Sequence, residues 1–375
     1  MIASGEVDLQ VIFAKRLTAD RLQSGWRDDL SGYPYRFVNG RLSEAMSLAW
    51  AQRDRIHIVN GLWAEPSFAA ALVVLALTGS AYAIYSEVPD RFKSLRPDPY
   101  LAKQSIFKEL LKTPFGRTLA PKAAGILPVS HFAADFFKRL GVDDQAIYPF
   151  GYFRSEPPLM NSKEVSSDNK IKVVFVGRLI RLKGIDILLE AMLPLFERHN
   201  NLFMTVIGDG ELLNPLQEQL KVYGMTDRVN FEGVLPTDKV QERLMQADLV
   251  VTPSRGDGWG LVVNEAFSVG VPVIVSDRCG AADLVRDGIN GYIFRSEDVE
   301  DLRECLSKFI EKRADWPYLQ AAAKATGQKI SAEQAAPYLI ECLNHMTGAL
   351  SKRPVPPWAQ LNGAGEAVGN STSRT

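Results

Sequence analysis

The chain has 375 residues, 46% of them hydrophobic and 23% charged, with a formal net charge of -1. That length suits two domains better than one, the apolar fraction is that of a folded globular protein, and the balanced charge argues against a nucleic-acid binder. The three cysteines, Cys279, Cys305 and Cys342, are odd in number and widely spaced; they read as reduced thiols, not as a disulfide framework or a zinc site.

Residues 7–15 and 35–39 read as strands and 42–52 as a helix. IHIVN at 56–60 is a short buried strand. The next stretch, 68–85, runs eighteen residues without a charge, at the low edge of membrane-spanning length. Gly79-Ser80 interrupts it and Pro66-Ser67 opens it, so a buried helix followed by a buried strand is the expected form. A strand at 125–129 follows, then a helix from His131 to Leu140, capped by Ser130 and stopped at Gly141.

Residues 90–122 carry Arg91, Lys93, Arg96, Lys103, Lys108, Lys112, Arg117 and Lys122 against Asp90, Asp98 and Glu109. Leu101, Ile106, Phe107, Leu110 and Leu111 allow an amphipathic helix there. One reading is a solvated surface helix. The other is contact with an anionic membrane or a phosphate-bearing lipid. The polar, aperiodic residues 154–170 mark a domain boundary.

A second α/β unit follows at once. Strands are expected at 172–176, 202–207, 229–231, 248–251, 271–275 and 291–294. Helices are expected at 185–196, 213–223, 240–247, 262–269, 299–312, 318–329 and 331–346. Alternating strands and helices imply parallel, doubly wound sheets. The residues from Ser351 on are rich in Pro, Gly, Ser and Thr and read as a disordered tail over 351–375.

Two loops carry the candidate chemistry. The first follows the strand at 172–176: Gly177, Arg178, Lys183 and Gly184 lie at its carboxyl end, just before a helix. Arg178 can grip phosphate oxygens through two donors, and Lys183 adds a point charge. The second runs from Ser254 to Gly260 between a buried strand and a helix. Gly258 and Gly260 let a large ligand approach the backbone, and the unpaired amides and dipole at the helix start favour an anion. Asp257 and Glu265 bracket this loop with seven residues between them. A further loop, Gly208 to Glu211, is either a turn or a third ligand contact. No GxGxxG follows a first strand, so dinucleotide chemistry is not indicated. His57, His131, His199 and His345 have no ligand spacing, and no Asp-x-Asp is present, so no metal site is expected.

These stretches resemble the donor-binding domain of the retaining, GT-B-fold glycosyltransferases of the glycogen-synthase-like group 1 family. The resemblance rests on VVFVGRLIRLKGIDILLEAM, VIGDGEL, DRVNFEGVLP, ADLVVTPSRGDGWGLVVNEAFSVGVPVIVSD and DGINGYIF, over residues 172–312. The first domain is matched loosely, through VSHFAADFFKRLGV and Pro149-Phe-Gly151. The resemblance implies two facing doubly wound, Rossmann-like domains with a cleft between them. Residues 1–153 would form the acceptor side and 154–330 the nucleotide-sugar domain, with a helix at 331–348 crossing back. It implies a hexosyltransferase-like enzyme that transfers a sugar with retention and without a catalytic metal. No cofactor is expected; the donor would be a UDP- or GDP-linked sugar.

By the same resemblance, Arg178 and Lys183 hold the diphosphate, Glu265 the ribose hydroxyls and Asp257 the donor sugar. Gly177, Gly208, Gly258, Trp259, Gly260 and Leu261 supply donor contacts, and Glu87 is the acceptor-side candidate. Asp257 stands where the family usually has Glu, one methylene longer, which puts the sugar contact in question. The acceptor is expected to be a polysaccharide or a lipid-linked oligosaccharide. The expected place is the cytoplasm, at the inner face of the plasma membrane if residues 90–122 make the contact described above. The alternative is a catalytically silent GT-B protein that binds a nucleotide-sugar or a partner. A hinge for cleft closure is expected near 151–158.

Overall fold

The computed structural model describes residues 8–16, 34–62, 65–87, 114–155 and 169–359. Most of the basic stretch at 90–122, most of the polar boundary at 154–170 and the end of the tail therefore lie outside the described residues.

In the first domain, β1 (Val11–Phe13) pairs in parallel with β2 (Tyr35–Phe37). Helix α1 (Leu42–Ala51) leads through β3 (His57–Asn60) to α2 (Pro66–Thr78). Then come β4 (Tyr82–Ser86), β5 (Gly125–Pro128) and α3 (His131–Arg139). Strands β3, β4 and β5 form a second parallel sheet in that order, separate from the β1–β2 pair. The uncharged stretch from 68 resolves into α2 and β4, as its interruption at Gly79 implies. Gly79 closes the helix in the left-handed region, at φ 71°. Strand β4 is central, so alternate residues face two cores. Ile84 joins Leu72, Leu75, Ile126 and Phe137 on one side, while Ala83 meets Leu127, Tyr338 and Cys342 on the other. Among the described residues, no helix is long and apolar enough to cross a membrane.

The second domain runs β6 (Ile171–Val176), α4 (Ile185–Arg198), β7 (Leu202–Ile207), α5 (Leu213–Val222), β8 (Val229–Gly233) and α6 (Thr237–Gln246). It continues β9 (Leu249–Thr252), α7 (Val262–Ser268), β10 (Val273–Ser276), β11 (Gly291–Phe294), α8 (Val299–Glu311) and α9 (Trp316–Lys329). Its six strands pair in parallel in the order β11-β10-β9-β6-β7-β8. Every residue of β9 and β10 is buried, as expected of parallel strands covered on both faces. Val173 and Phe175 point into the core shared with α4, α5 and α8. Val174 points the opposite way, toward the core that holds Leu244 of α6, Val263 and Phe267 of α7 and Ala323 of α9. Helices on both faces make this sheet doubly wound.

A final helix, α10 (Ala332–Met346), returns to the first domain. Tyr338 Oη donates to the Pro149 carbonyl at 3.1 Å, and Tyr148 Oη lies 2.7 Å from His345 Nδ1. The expected disordered tail is corrected over 351–359. Arg353 donates to Gln145 Oε1 at 2.8 Å, and the Trp358 ring packs 4.9 Å from Phe153 and 5.3 Å from Tyr338. Tertiary packing overrides a composition that reads as loop.

Candidate active site

The strand order has one reversal, between β6 and β9. The chain leaves β6 toward β7 and leaves β9 toward β10, so the two following loops diverge. A crevice at the carboxyl ends of the strands results, the place where ligands settle in open α/β sheets. Arg178 and Lys183 come from the loop after β6; Asp257 comes from the loop after β9.

The two loops are in contact. Gly184 sits at φ 70°, and any Cβ there would run into the Pro253 carbonyl, so this position requires glycine. Arg255 clamps the loops. Its amide donates to the Leu182 carbonyl at 2.9 Å, and its guanidinium pairs with Asp186 at 2.8 and 2.9 Å and with Glu297 at 3.0 Å. Lys183 Nζ forms an ion pair with Asp257 Oδ2, both side chains being largely buried. Arg178 is exposed and has no ion-pair partner among the described residues. The loops after β6, β7 and β8 also meet. The Gly177 carbonyl lies where a Cβ of Gly208 would be, and the Gly208 amide donates to the Gly233 carbonyl at 2.7 Å. Leu179 accepts from and donates to the 209–212 turn, through Leu212 N at 2.9 Å and Asp209 O at 2.8 Å.

The structure thus brings Gly177, Arg178, Lys183, Gly208, Asp257, Gly258 and Gly260 to one sheet edge. Leu261 leads into α7 at half-buried exposure. Trp259 is turned away from that edge: its ring is buried between the domains. Its Nε1 donates to Asn264 Oδ1 at 2.7 Å, and its amide lies 3.4 Å from Asp257 Oδ1. Only its backbone faces the loop.

Glu87, at the end of β4 in the first domain, reaches the same loop. A Cβ on Gly258 would stand 2.6 Å from Glu87 Oε2. Tyr152 Oη donates to Glu87 Oε1 at 2.5 Å. A second contact between the domains joins His131 to Asp283. The His131 amide donates to Asp283 Oδ2 at 2.7 Å, and its Nδ1 pairs with Asp283 Oδ1. The expected cap of α3 is corrected here. Ser130 adopts φ 83°, and its buried Oγ has no partner among the described residues. Asp283 of the second domain accepts from the helix start instead.

Glu265 stands one turn into α7, and its carboxylate pairs with Arg154 Nη1. Burial pushes the Glu265 carboxyl above the ordinary glutamate range, and the Arg154 charge pulls it partly back. Sequence reasoning set Arg154 at the start of a polar linker and assigned it no role. Tyr152, Asn264 and Asp283 were missed as well, because their partners are distant in sequence. No cluster of three metal-ligating side chains occurs among the described residues.

The family model of Glycosyl transferases group 1 matches residues 159–329. An uncharacterized glycosyltransferase of Methanocaldococcus jannaschii is 35% identical over 127 residues, which is 34% of this chain and 32% of that protein. A D-inositol 3-phosphate glycosyltransferase of Nocardia farcinica is 32% identical over 148 residues, 38% of this chain and 33% of that protein. The matched region thus spans about a third of the length of these curated relatives. Among solved structures, Anabaena HepE in complex with UDP superposes with a TM-score of 0.62 at 18% identity, over 83% of this chain and 86% of that one. The fold is the GT-B fold. Residues 159–329 thus match the group 1 glycosyl transferases, within a chain whose fold is that of GT-B neighbours.

Proposed function

We propose that the protein is a retaining, metal-independent glycosyltransferase, moving a sugar from a nucleoside-diphosphate sugar to a polysaccharide or lipid-linked oligosaccharide acceptor. The observation that carries this reading is the convergence of Arg178, Lys183 and Asp257 at the β6/β9 crevice. In such a transfer the bond from the anomeric carbon to the phosphate oxygen breaks. A bond to the acceptor hydroxyl oxygen forms, and negative charge grows on the departing diphosphate. Fixed positive charge aimed at that diphosphate stabilises the transition state more than the ground state. Arg178 is exposed and can close on phosphate with two donors. Lys183 is held in place by Asp257, so its ammonium reaches the ligand already oriented.

Asp257 has two duties in this reading: it steadies Lys183 and accepts from hydroxyls of the transferred sugar. Glu265 serves the ribose. Glu87, across the cleft beside Gly258, meets the sugar or the acceptor. UDP in the HepE structure supports a nucleotide-sugar donor. Cytoplasmic location, at a membrane face through residues 90–122, completes the proposal.

The test is hydrolysis of UDP- and GDP-sugars by purified protein, followed as released nucleoside diphosphate. Slow turnover that disappears in Arg178→Ala and Glu265→Ala supports the enzyme. Binding with no turnover under any acceptor supports a silent binding protein. A thermal shift with no nucleotide or nucleotide-sugar sinks both.

A further inference from the structure

The chain passes between the domains at two places, and they touch. The first is the segment from Tyr148 to Arg154; the second is the junction of α9 and α10 at Ile330 and Ser331. The Ala332 amide donates to the Arg154 carbonyl at 2.9 Å, and Arg154 and Ser331 form a parallel bridge. Arg154 is therefore the residue where both crossings meet.

From there, the first crossing is fastened to the start of α7 at three points. Gly151 lies under the Trp259 ring, so closely that a Cβ would be 2.5 Å from Cη2. Asn264 Nδ2 donates to the Tyr152 carbonyl at 2.9 Å. Arg154 Nη1 pairs with Glu265 Oε1. Pro149, two residues before Gly151, is held instead by Tyr338 of α10 on the first-domain side. The second domain thus takes hold of the chain from Gly151 on, where Tyr85 of the first domain still donates to the Gly151 carbonyl at 3.3 Å. From Gly151 to Arg154 the chain is fastened to α7 and the loop before it, and Tyr152 also donates to Glu87 of the first domain.

The Arg154–Glu265 pair is the chemically distinctive one of the three. Glu265 is the carboxylate assigned to the ribose, and its side chain is only 14% exposed. A carboxylate that buried has few ways to be held both charged and aimed, and a guanidinium alongside supplies both. The fastening is specific to the α7 side chain that the ligand needs.

We infer that Arg154 is a positioning residue for nucleotide binding: from the interdomain crossing it orients the Glu265 carboxylate, and so ties nucleotide affinity to the geometry of the crossing. This rests on the proposed function, since it assigns Glu265 to the nucleotide. Arg154 touches no substrate in this scheme. It acts through Glu265.

The experiment is calorimetric titration of the full chain with UDP, GDP and ADP, for the wild type, Arg154→Gln, Arg154→Lys, Glu265→Gln and the Gln/Gln double variant. For the nucleotide the wild type binds, Arg154→Gln should raise Kd about tenfold, equal to about 1.4 kcal/mol. Arg154→Lys should recover part of that loss, because it keeps the charge and gives up the planar fork. The double variant should bind no more weakly than Glu265→Gln alone, because the two side chains act as one unit. A purely structural role would lower the unfolding midpoint of Arg154→Gln and leave Kd unchanged; that outcome overturns the inference. If Arg154→Gln does not fold, Arg154→Lys carries the test, with about threefold weaker binding expected and wild-type affinity overturning the inference. A wild type that binds none of the three nucleotides removes the functional reading itself, and the inference with it. A wild type that binds, beside an Arg154 variant that binds equally, removes the inference alone.

Discussion

Gly151→Ala is the sharpest probe of the interdomain crossing. The added methyl would stand 2.5, 2.7 and 3.2 Å from three carbons of the Trp259 ring. Ordinary carbon contacts lie at about 3.5–4.0 Å, so the ring must withdraw by about 1 Å. It has little room to do so. Trp259 is 4% exposed, and its Nε1 is fixed to Asn264 Oδ1 at 2.7 Å. Forcing a methyl into a packed interior costs about 1–3 kcal/mol. Breaking the indole bond adds about 1 kcal/mol, so the expected destabilisation is about 2–4 kcal/mol. At roughly 2–4 °C per kcal/mol for domains of this size, the midpoint should fall by about 4–16 °C. The assay is thermal and urea unfolding of the full chain. The diagnostic control is Trp259→Phe, whose shorter ring withdraws the atoms that collide. Gly151→Ala with Trp259→Phe should be less destabilised than the sum of the singles by about 1 kcal/mol or more. Wild-type stability of Gly151→Ala, or strict additivity in the double variant, would refute the packing argument, because either result means the ring is free to move.

Lys183→Met should strand the largely buried Asp257 carboxylate and destabilise the chain by about 2 kcal/mol, while adding Asp257→Asn should return about half of that in urea unfolding. Cys279 is fully buried, with its thiol pushed far up by burial, and burial pushes Cys305 and Cys342 to about 12; a disulfide reagent at pH 8 should therefore label no thiol in the native protein and all three in denaturant. Glu265 has a folded pKa above its unfolded value, so the stability it contributes is full below about pH 4.3 and is lost as pH rises through the folded value. Removing Arg154 takes away the charge that lowers it, so the stability gap between the wild type and Arg154→Gln should be narrow near pH 4.5 and widen toward neutral, and a gap constant with pH would count against the ion pair.

What was legible in the sequence follows from how local each signal is. The loops after β6 and β9 carry their glycines, Arg178, Lys183 and Asp257 within short windows bounded by continuous apolar strands, so composition alone places them at strand ends. The helix-then-strand reading of 68–85 held because Gly79 breaks the run at the point where α2 turns to β4. Arg154 was illegible for the opposite reason. It sits in a polar stretch that looks like linker, and its partner Glu265 is 111 residues away. Ser130 shows the same limit: serine before a helix predicts a side-chain cap, yet the cap comes from Asp283, 152 residues beyond His131. The first-domain sheet is likewise split into β1–β2 and β3–β4–β5, a matter of pairing that alternation cannot decide.

These distant contacts bear on the site in a common way. The β6/β9 crevice depends on one domain's sequence, and its residues could be named from it. The parts that hold the crevice against the first domain are Glu87 at Gly258, Tyr152 at Asn264, Arg154 at Glu265 and His131 at Asp283. Each pairs a side chain or backbone group from one side of the crossing with α7 or the loops around it. Asp257, the position that departs from the family's usual Glu, lies next to Gly258 within this ring of contacts. A carboxylate one methylene shorter already spends one oxygen on Lys183. Restoring the longer acid, Asp257→Glu, should therefore disturb the lysine before it improves any sugar contact. In the sugar-nucleotide hydrolysis assay the expected result is a loss of turnover, not a gain. A gain would mean that Asp257 faces the sugar alone, and that the Lys183 pair is incidental to the chemistry.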